Sequence, residues 1–354
     1  MIIYFILLAL IMLLLYTPVK NIGAKSSDLG IYISVILLAL FAGLRNRSVG
    51  TDTNNYVYYF QNRVGGIFAT SSIEKGFLFL ESFARIVSTT YWSFLTIIAL
   101  VCIISYTYLI KKVSSNISVS FFLYLTLGSY LFFFNGARQG IAASVFAVAL
   151  VFLMKRNLKW YLFWVLMASL FHRTVLIMLP FYFILQFKYS TFRMVLFAIL
   201  SFIALSFLSF FVSFFDEDVA SRYGDYIDRG ASGGFLLALF FFIISITLIY
   251  FRSRIPIEIQ KRYDIYLNLC VFNSLIYLVV IVMGVDVNFL RFSTYFLSGY
   301  ILIWPILFKY TSLGKDKVFK YVFFITHLGF YTVYLAKMSG MVPYMLNLEL
   351  FISH

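Results

Sequence analysis

The feature that most constrains this chain is its repeated apolar stretches of bilayer-crossing length. A helix needs about 20 such residues, within a range of about 17–25, to span the hydrocarbon core. Such stretches fall at about 2–19, 29–44, 92–110, 117–134, 139–154, 194–215, 235–251, 265–285, 292–308 and 318–336, several borrowing polar flanks. Of the 354 residues, 62% are hydrophobic and 12% charged, whereas soluble domains carry about 25% charged residues. With a mean hydropathy of +0.94, the chain reads as an all-α polytopic membrane protein, a single integral membrane domain over 1–354. The opening run MIIYFILLALIMLLLYTPVK lacks the basic start and small-residue cleavage site of a signal peptide and reads as the first span.

The stretch 158–187, LKWYLFWVLMASLFHRTVLIMLPFYFILQF, carries His172 and Arg173 at its centre. One continuous span would bury that arginine mid-bilayer at a cost of at least about 2.5–3.5 kcal/mol, which favours two short spans meeting there. Lysine placement tests the choice, because cytoplasmic loops are enriched in positive charge. With about 12 spans and both termini outside, the inner loops hold Lys20, Lys25, Lys111, Lys112, Lys155, Lys159, Lys188, Lys261, Lys309, Lys315, Lys317 and Lys320. Only Lys75 and Lys337 then lie outside. A single span at 158–187 would move RSR, KR and KDKVFK to the disfavoured face.

Arginine follows a different rule. Arg156, Arg193, Arg252, Arg254 and Arg262 lie inside, while Arg45, Arg47, Arg63, Arg85, Arg138, Arg173, Arg222, Arg229 and Arg291 lie outside. The planar fork of arginine donors suits bidentate binding of phosphate or carboxylate. For Arg63, Arg85 and Arg229, pairing with outer acidic residues is the simpler reading. The net charge of +14 reflects membrane orientation rather than a nucleic-acid partner, since the charges only punctuate apolar spans. Cys102 and Cys270 sit inside apolar runs and read as packing residues, not a disulfide framework. His172, His327 and His354 are too scattered for a metal site, and no phosphate-binding glycine loop is present; no cofactor is expected. His327, mid-span, reads as a packed helix residue, and Asp286 as a local partner for Arg291.

Two outer segments are sizeable, 45–91 and 216–234. The first contains an amphipathic helix at about 73–88, with Ser72 and Lys75 in N-cap-like spacing and an apolar face at Phe77, Leu80, Phe83 and Ala84. Six outer clusters converge on one face: GLRNRSVGTDTNNY (43–56), NGARQGIAAS (135–144), FHRT (171–174), SRYGDYIDRG (221–230), VNFLRFSTYF (287–296) and MVPY (341–344).

Taken in order, these clusters resemble the Wzy-type polysaccharide polymerases, in particular the EpsG-like branch. The carriers are Arg45 or Arg47 through Val49, Gly50, Thr51 and Asp52 to Tyr56; Asn135, Arg138 and Gln139; Phe171, His172 and Thr174; and Arg291, Tyr295 and Phe296. The resemblance implies a GT-C-like architecture whose outer loops form the site, at the outer face of a bacterial cytoplasmic membrane. Its substrate would be an undecaprenyl-pyrophosphate-linked oligosaccharide, and its partners membrane lipids, a chain-length regulator and a flippase. The implied reaction transfers the growing chain from its lipid pyrophosphate to a sugar hydroxyl of the next unit, as in O-antigen, capsule or exopolysaccharide assembly.

That chemistry needs cations for the departing pyrophosphate and a base for the acceptor hydroxyl. Arg138 and Arg291 fit the clamp, with Arg45 or Arg47 contributing; Arg138 also opens a helix whose N-terminal amides favour anions. His172 or Asp52 fits the base, Asp52 having a turn and N-cap role as its alternative. Asn135, Gln139, Arg173, Arg222, Tyr223, Tyr56 and Tyr295 are candidates for substrate contacts. Two other readings use related substrates: a lipid-linked oligosaccharide flippase, and an O-antigen ligase. No internal repeat supports the flippase, and the 216–234 loop is short for a ligase.

Overall fold

The computed structural model describes residues 1–16, 26–63, 73–200, 202–203, 234–283, 287–337 and 339–347. The chain divides into two units, Met1–Tyr182 with Trp304–His354, and Phe183–Ile303. The described structure is nearly all helical; its β pairing is a lone bridge between Arg45 and Leu346.

The first unit is built from α1 (Ile2–Tyr16), α2 (Ser26–Gly43), α3 (Thr53–Asn62), α4 (Lys75–Val87), α5 (Tyr91–Val113), α6 (Ile117–Thr126), α7 (Phe132–Asn135), α8 (Ala137–Met154) and α9 (Leu158–Ser169). A 3-10 turn over Arg173–Met178 and α10 (Phe181–Ile184) follow. At its centre stands α8, whose residues from Gln139 to Val151 are all buried. Ala142, Ala143, Ser144, Ala147 and Ala149 keep the helix slim, and small side chains let helix backbones approach closely inside a bilayer.

Contacts within this unit sort the helix ends into two groups. At one end, Gly43 closes α2 against Thr96 in α5, and Phe60 of α3 stacks on Phe94 of α5 at 5.1 Å. Tyr4 of α1 donates there to the Met341 carbonyl at 2.7 Å. At the other end, Lys111 of α5 pairs with Asp28 of α2 at 2.7 Å, and Ser118 of α6 donates to the Leu15 carbonyl at 3.1 Å. The first is the arginine end, with Arg45, Arg47, Arg63, Arg85, Arg138 and Arg173. The second is the lysine end, with Lys111, Lys112, Lys155 and Lys159, joined by Lys309, Lys315, Lys317 and Lys320 from the closing part of the chain.

Two expected spans of the first unit are not straight helices. The run 117–134 stops at Thr126, because Gly128 adopts φ +81° and the chain turns before α7. A glycine in this left-handed region is a common helix stop. The run 158–187 breaks at His172, and the chain folds back on α9. Tyr161 donates to the Met178 carbonyl at 2.6 Å, and the Tyr161 and Tyr182 rings lie 5.1 Å apart. The charge at the centre of the run thus sits at a hairpin tip.

The second unit contains α11 (Thr191–Leu200), α12 (Phe235–Phe251) and α13 (Ile257–Met283), then a 3-10 segment over Val287–Phe296 and the start of α14 (Ser298–Tyr310). Arg252 grips Asp264 with two bonds, at 2.6 and 2.7 Å, closing the α12–α13 hairpin. Deeper in, the hydroxyls of Ser245, Ser274 and Tyr300 bond to one another at 2.8–3.0 Å. The chain then completes the first unit with α15 (Lys317–Lys337).

About twelve spans were the expectation. By length and composition, six helices of the described residues can cross a membrane: Tyr91–Val113, Ala137–Met154, Phe235–Arg254, Ile257–Met283, Phe289–Tyr310 and Lys317–Lys337. Four shorter apolar helices accompany them. The expected span at 194–215 is described only as far as Leu200 and at 202–203, and the 216–233 part of the second outer loop lies outside the described residues.

Candidate functional site at the arginine end

The arginine end is assembled from loops that the sequence places far apart. Asn135, at the close of α7, accepts the Thr51 amide at 3.0 Å and donates to the Ser339 carbonyl at 2.6 Å. Gly50 donates to Gly340 at 3.3 Å and Asn46 to Met345 at 2.8 Å. The 43–56 loop, the close of α7 and the 339–347 segment are therefore one structure. Gly50 is required where it stands: φ is +98°, and a Cβ would lie 2.9 Å from the Phe134 carbonyl oxygen.

The two early arginines occupy opposite environments. Arg45 is only 1% exposed. It donates to the Ala42 carbonyl and, at 3.4 Å, to the Thr53 hydroxyl, and covers the Phe134 ring at 4.0 Å. Burial pulls its pKa down to about 10, so it remains a cation at neutral pH. Named in the sequence as a candidate pyrophosphate contact, it is buried in the loop's foundation. Arg47 is exposed. It sits in a turn where the Asn46 side chain accepts the Ser48 amide at 3.0 Å.

The chemistry concentrates around Glu74, a residue the sequence reading passed over. Glu74 is the N-cap residue of α4, but its side chain caps nothing. One carboxylate oxygen accepts from Arg138 Nη1 at 3.0 Å. The other lies 3.2 Å from His172 Nδ1 and accepts the Arg173 amide at 3.3 Å. Burial alone would raise the Glu74 pKa, but the bond with His172, its own backbone and the Arg138 charge bring it down to about 2. An ionised carboxylate only accepts hydrogen bonds. Where the two are bonded, His172 Nδ1 is therefore the donor, and the ring turns its Nε2 away from Glu74. Arg138 commits one nitrogen to Glu74 and keeps 35% of its side chain exposed. The only advance sign of Glu74 was a lone acid just before the amphipathic helix; its partners are 64 and 98 residues away.

Helix α4 lies on α5 and α3 through Phe77, which meets Phe94 at 5.6 Å and Tyr56 at 5.8 Å. Its buried face is Phe77, Leu78, Leu80, Glu81 and Ala84. Phe83, expected on that face, is 46% exposed, because the helix begins at Lys75 after Glu74 and Glu81 takes the inward position. Glu81 holds both Arg63 and Arg85 at 2.7 Å, the pairing expected of those arginines.

The other candidates separate. Asp52 stands at the N-cap of α3 without a side-chain cap bond, and accepts from the Thr51 hydroxyl at 3.3 Å. Gln139 is buried, and the Arg173 side chain is exposed. Within the second unit, Arg291 is exposed and Tyr295 buried. Arg222, Tyr223, Arg229 and Asp286 lie outside the described residues. His327 is 1% exposed, its Nδ1 bonded to the Phe323 carbonyl at 2.8 Å and its ring against Phe323 and Trp304. It is the packed helix residue expected. Cys102 and Cys270 are buried free thiols.

Fold and site together define a helical membrane protein with a histidine, a carboxylate and arginines gathered at one end of a bundle. Residues 29–346 match the EpsG family, and the chain belongs to that family. It is also similar to the amylovoran biosynthesis protein AmsC of Erwinia amylovora, 30% identical over 172 residues. That alignment covers 44% of this chain and 45% of AmsC, so the chain spans less than half of that relative's length. No solved structure matches.

Proposed function

We propose that this protein polymerises undecaprenyl-pyrophosphate-linked oligosaccharide units at the outer face of a bacterial cytoplasmic membrane, on a GT-C-like scaffold. The observation that carries the reading is the Glu74 carboxylate, which joins a base and a cation through its two oxygens. Membership of the EpsG family and similarity to a protein named for amylovoran biosynthesis support the pathway class.

In this reading His172 Nε2 takes the proton of the acceptor hydroxyl as that oxygen attacks the anomeric carbon. Glu74 fixes the tautomer through Nδ1–H and stabilises the imidazolium that forms, as carboxylates paired to catalytic histidines do. The glycosyl–oxygen bond to the lipid pyrophosphate breaks, and the leaving group departs as an anion. Arg138 receives it with the nitrogens not given to Glu74, joined by the exposed Arg47 and Arg173. Asn135, with both ends of its amide occupied, positions the loops instead of touching sugar.

Surface polysaccharide from a deletion strain complemented with variants tests this. His172→Ala and Arg138→Lys should each abolish the polymer ladder while a single repeat unit is still delivered and the protein stays in the membrane. A fully active Arg138→Lys variant would remove bidentate phosphate binding from the mechanism. Loss of every repeat on deletion would point to a flippase, and polymer accumulating on the carrier lipid to a ligase.

A further inference from the structure

The lysine end of the first unit holds a cavity that the polymerase reading does not use. Its volume is about 660 Å³, within the roughly 300–1,000 Å³ typical of small-molecule sites. Met12 of α1, Phe122 of α6, Phe308 of α14 and Phe324 of α15 give it apolar walls. Two cations, Lys309 and Lys320, also line it, together with Asn116 and Ser118 from the start of α6.

Neither lysine makes an ion pair with a described acid. Among the described residues, Lys309 faces the neighbouring Tyr310 ring, at 5.3 Å. The segment from Lys309 to Lys320 carries four lysines and one acid, Asp316. That acid is already occupied in capping α15, where it accepts the amides of Val318 and Phe319 at 2.8 and 3.2 Å. An apolar chamber whose positive rim is paired with none of the described acids, at the end of a membrane-crossing bundle, complements an amphiphile with an anionic head. Basic pockets between membrane helices take phospholipid head groups on this principle, and long lysine side chains reach from apolar surroundings to such heads.

We propose that this cavity holds one anionic phospholipid of the surrounding leaflet, its phosphate at Lys309 and Lys320 and an acyl chain along Met12, Phe122, Phe308 and Phe324. The lipid fills the space between α1, α6, α14 and α15, so it secures the lysine end of the bundle. The site is independent of the chemistry assigned to the arginine end.

Native mass spectrometry of the full-length protein, released from neutral detergent with equimolar phosphatidylglycerol and phosphatidylcholine, tests the assignment. Retained phosphatidylglycerol should exceed phosphatidylcholine by about 30-fold, given two lysines near the phosphate. Lys309→Ala/Lys320→Ala should bring the ratio to parity. Lys112→Ala/Lys155→Ala, which removes two lysines of the same end from outside the cavity, should leave it unchanged. Val119 also lines the cavity, so Val119→Trp narrows it with both lysines intact and should also abolish retention. Equal loss in the two lysine pairs would overturn the proposal, because diffuse surface charge would then suffice. So would displacement of the lipid by inorganic phosphate, which would leave the acyl chamber without a role. Preferential retention of undecaprenyl phosphate over phosphatidylglycerol would likewise overturn the phospholipid as occupant.

Discussion

The two ends of the first unit are both basic, yet they use positive charge differently. At the arginine end, guanidiniums are built into structure: Arg45 inside the loop foundation, Arg63 and Arg85 on Glu81, Arg138 on Glu74. At the lysine end, ammonium groups line the rim, and the described ion pair there is Lys111 with Asp28. The difference follows from the side chains. A planar fork can hold a carboxylate and still present donors to another anion, whereas a lysine is a single hydrated charge that serves orientation toward a membrane surface. An arginine end made this way can carry a reaction site, while a lysine end can set topology and hold lipid.

The contrast can be broken experimentally, and the largest effect should come from its most buried member. Arg45→Ala removes a fully enclosed side chain and should cost about 3 kcal/mol or more, as large truncations in packed interiors do. Thermal unfolding in detergent would read this, and Arg47→Ala should stay within about 0.5 kcal/mol. If both variants are equally stable, the distinction between anchoring and presented arginines is wrong.

Glu81→Gln comes next. It leaves Arg63 and Arg85 without their carboxylate and should destabilise by about 3 kcal/mol, toward the lower end of broken buried pairs because Arg85 is partly exposed. Protease resistance of the 45–91 region should fall with it.

Glu74→Gln should act on activity as well as on stability. Losing the charge behind His172 should lower polymer formation by about 100-fold, equivalent to about 2.7 kcal/mol in the barrier, with membrane levels unchanged. The same residue makes a pH prediction. Its folded pKa of about 2 lies below the usual 4.5, so its contribution to stability is complete above pH 4.5. That contribution is lost as pH falls toward 2. The stability difference between the native protein and Glu74→Gln should be flat above that window and vanish below it. A difference that grows on acidification would reverse the assigned sign.

Lys111→Ala should do least. The pair with Asp28 is largely exposed, and such pairs contribute about 0–1 kcal/mol. A loss as large as that of Glu81→Gln would erase the contrast between the ends.

Much of this was legible in the residues. Hydropathy marked the membrane class, a centrally charged run at 158–187 announced a break, and the segregation of lysine from arginine anticipated the two ends. The glycine of VGTD and the arginine, histidine and asparagine motifs pointed to a shared location, and four of those clusters do meet in the first unit. The break at Gly128 was less readable, because a glycine inside an apolar run is compatible with either a helix or a stop until its φ is known.

What the sequence determined by itself was therefore the kind of protein, since the cost of placing charge and unpaired backbone in a bilayer acts on every residue locally. What only the tertiary structure decided was the use of each polar side chain. Arg45 and Arg47 stand two residues apart in the same motif, yet one anchors the loops and the other faces outward. Glu74 gains its meaning from Arg138 and His172, and sequence spacing carries no information about which distant donors will surround a carboxylate.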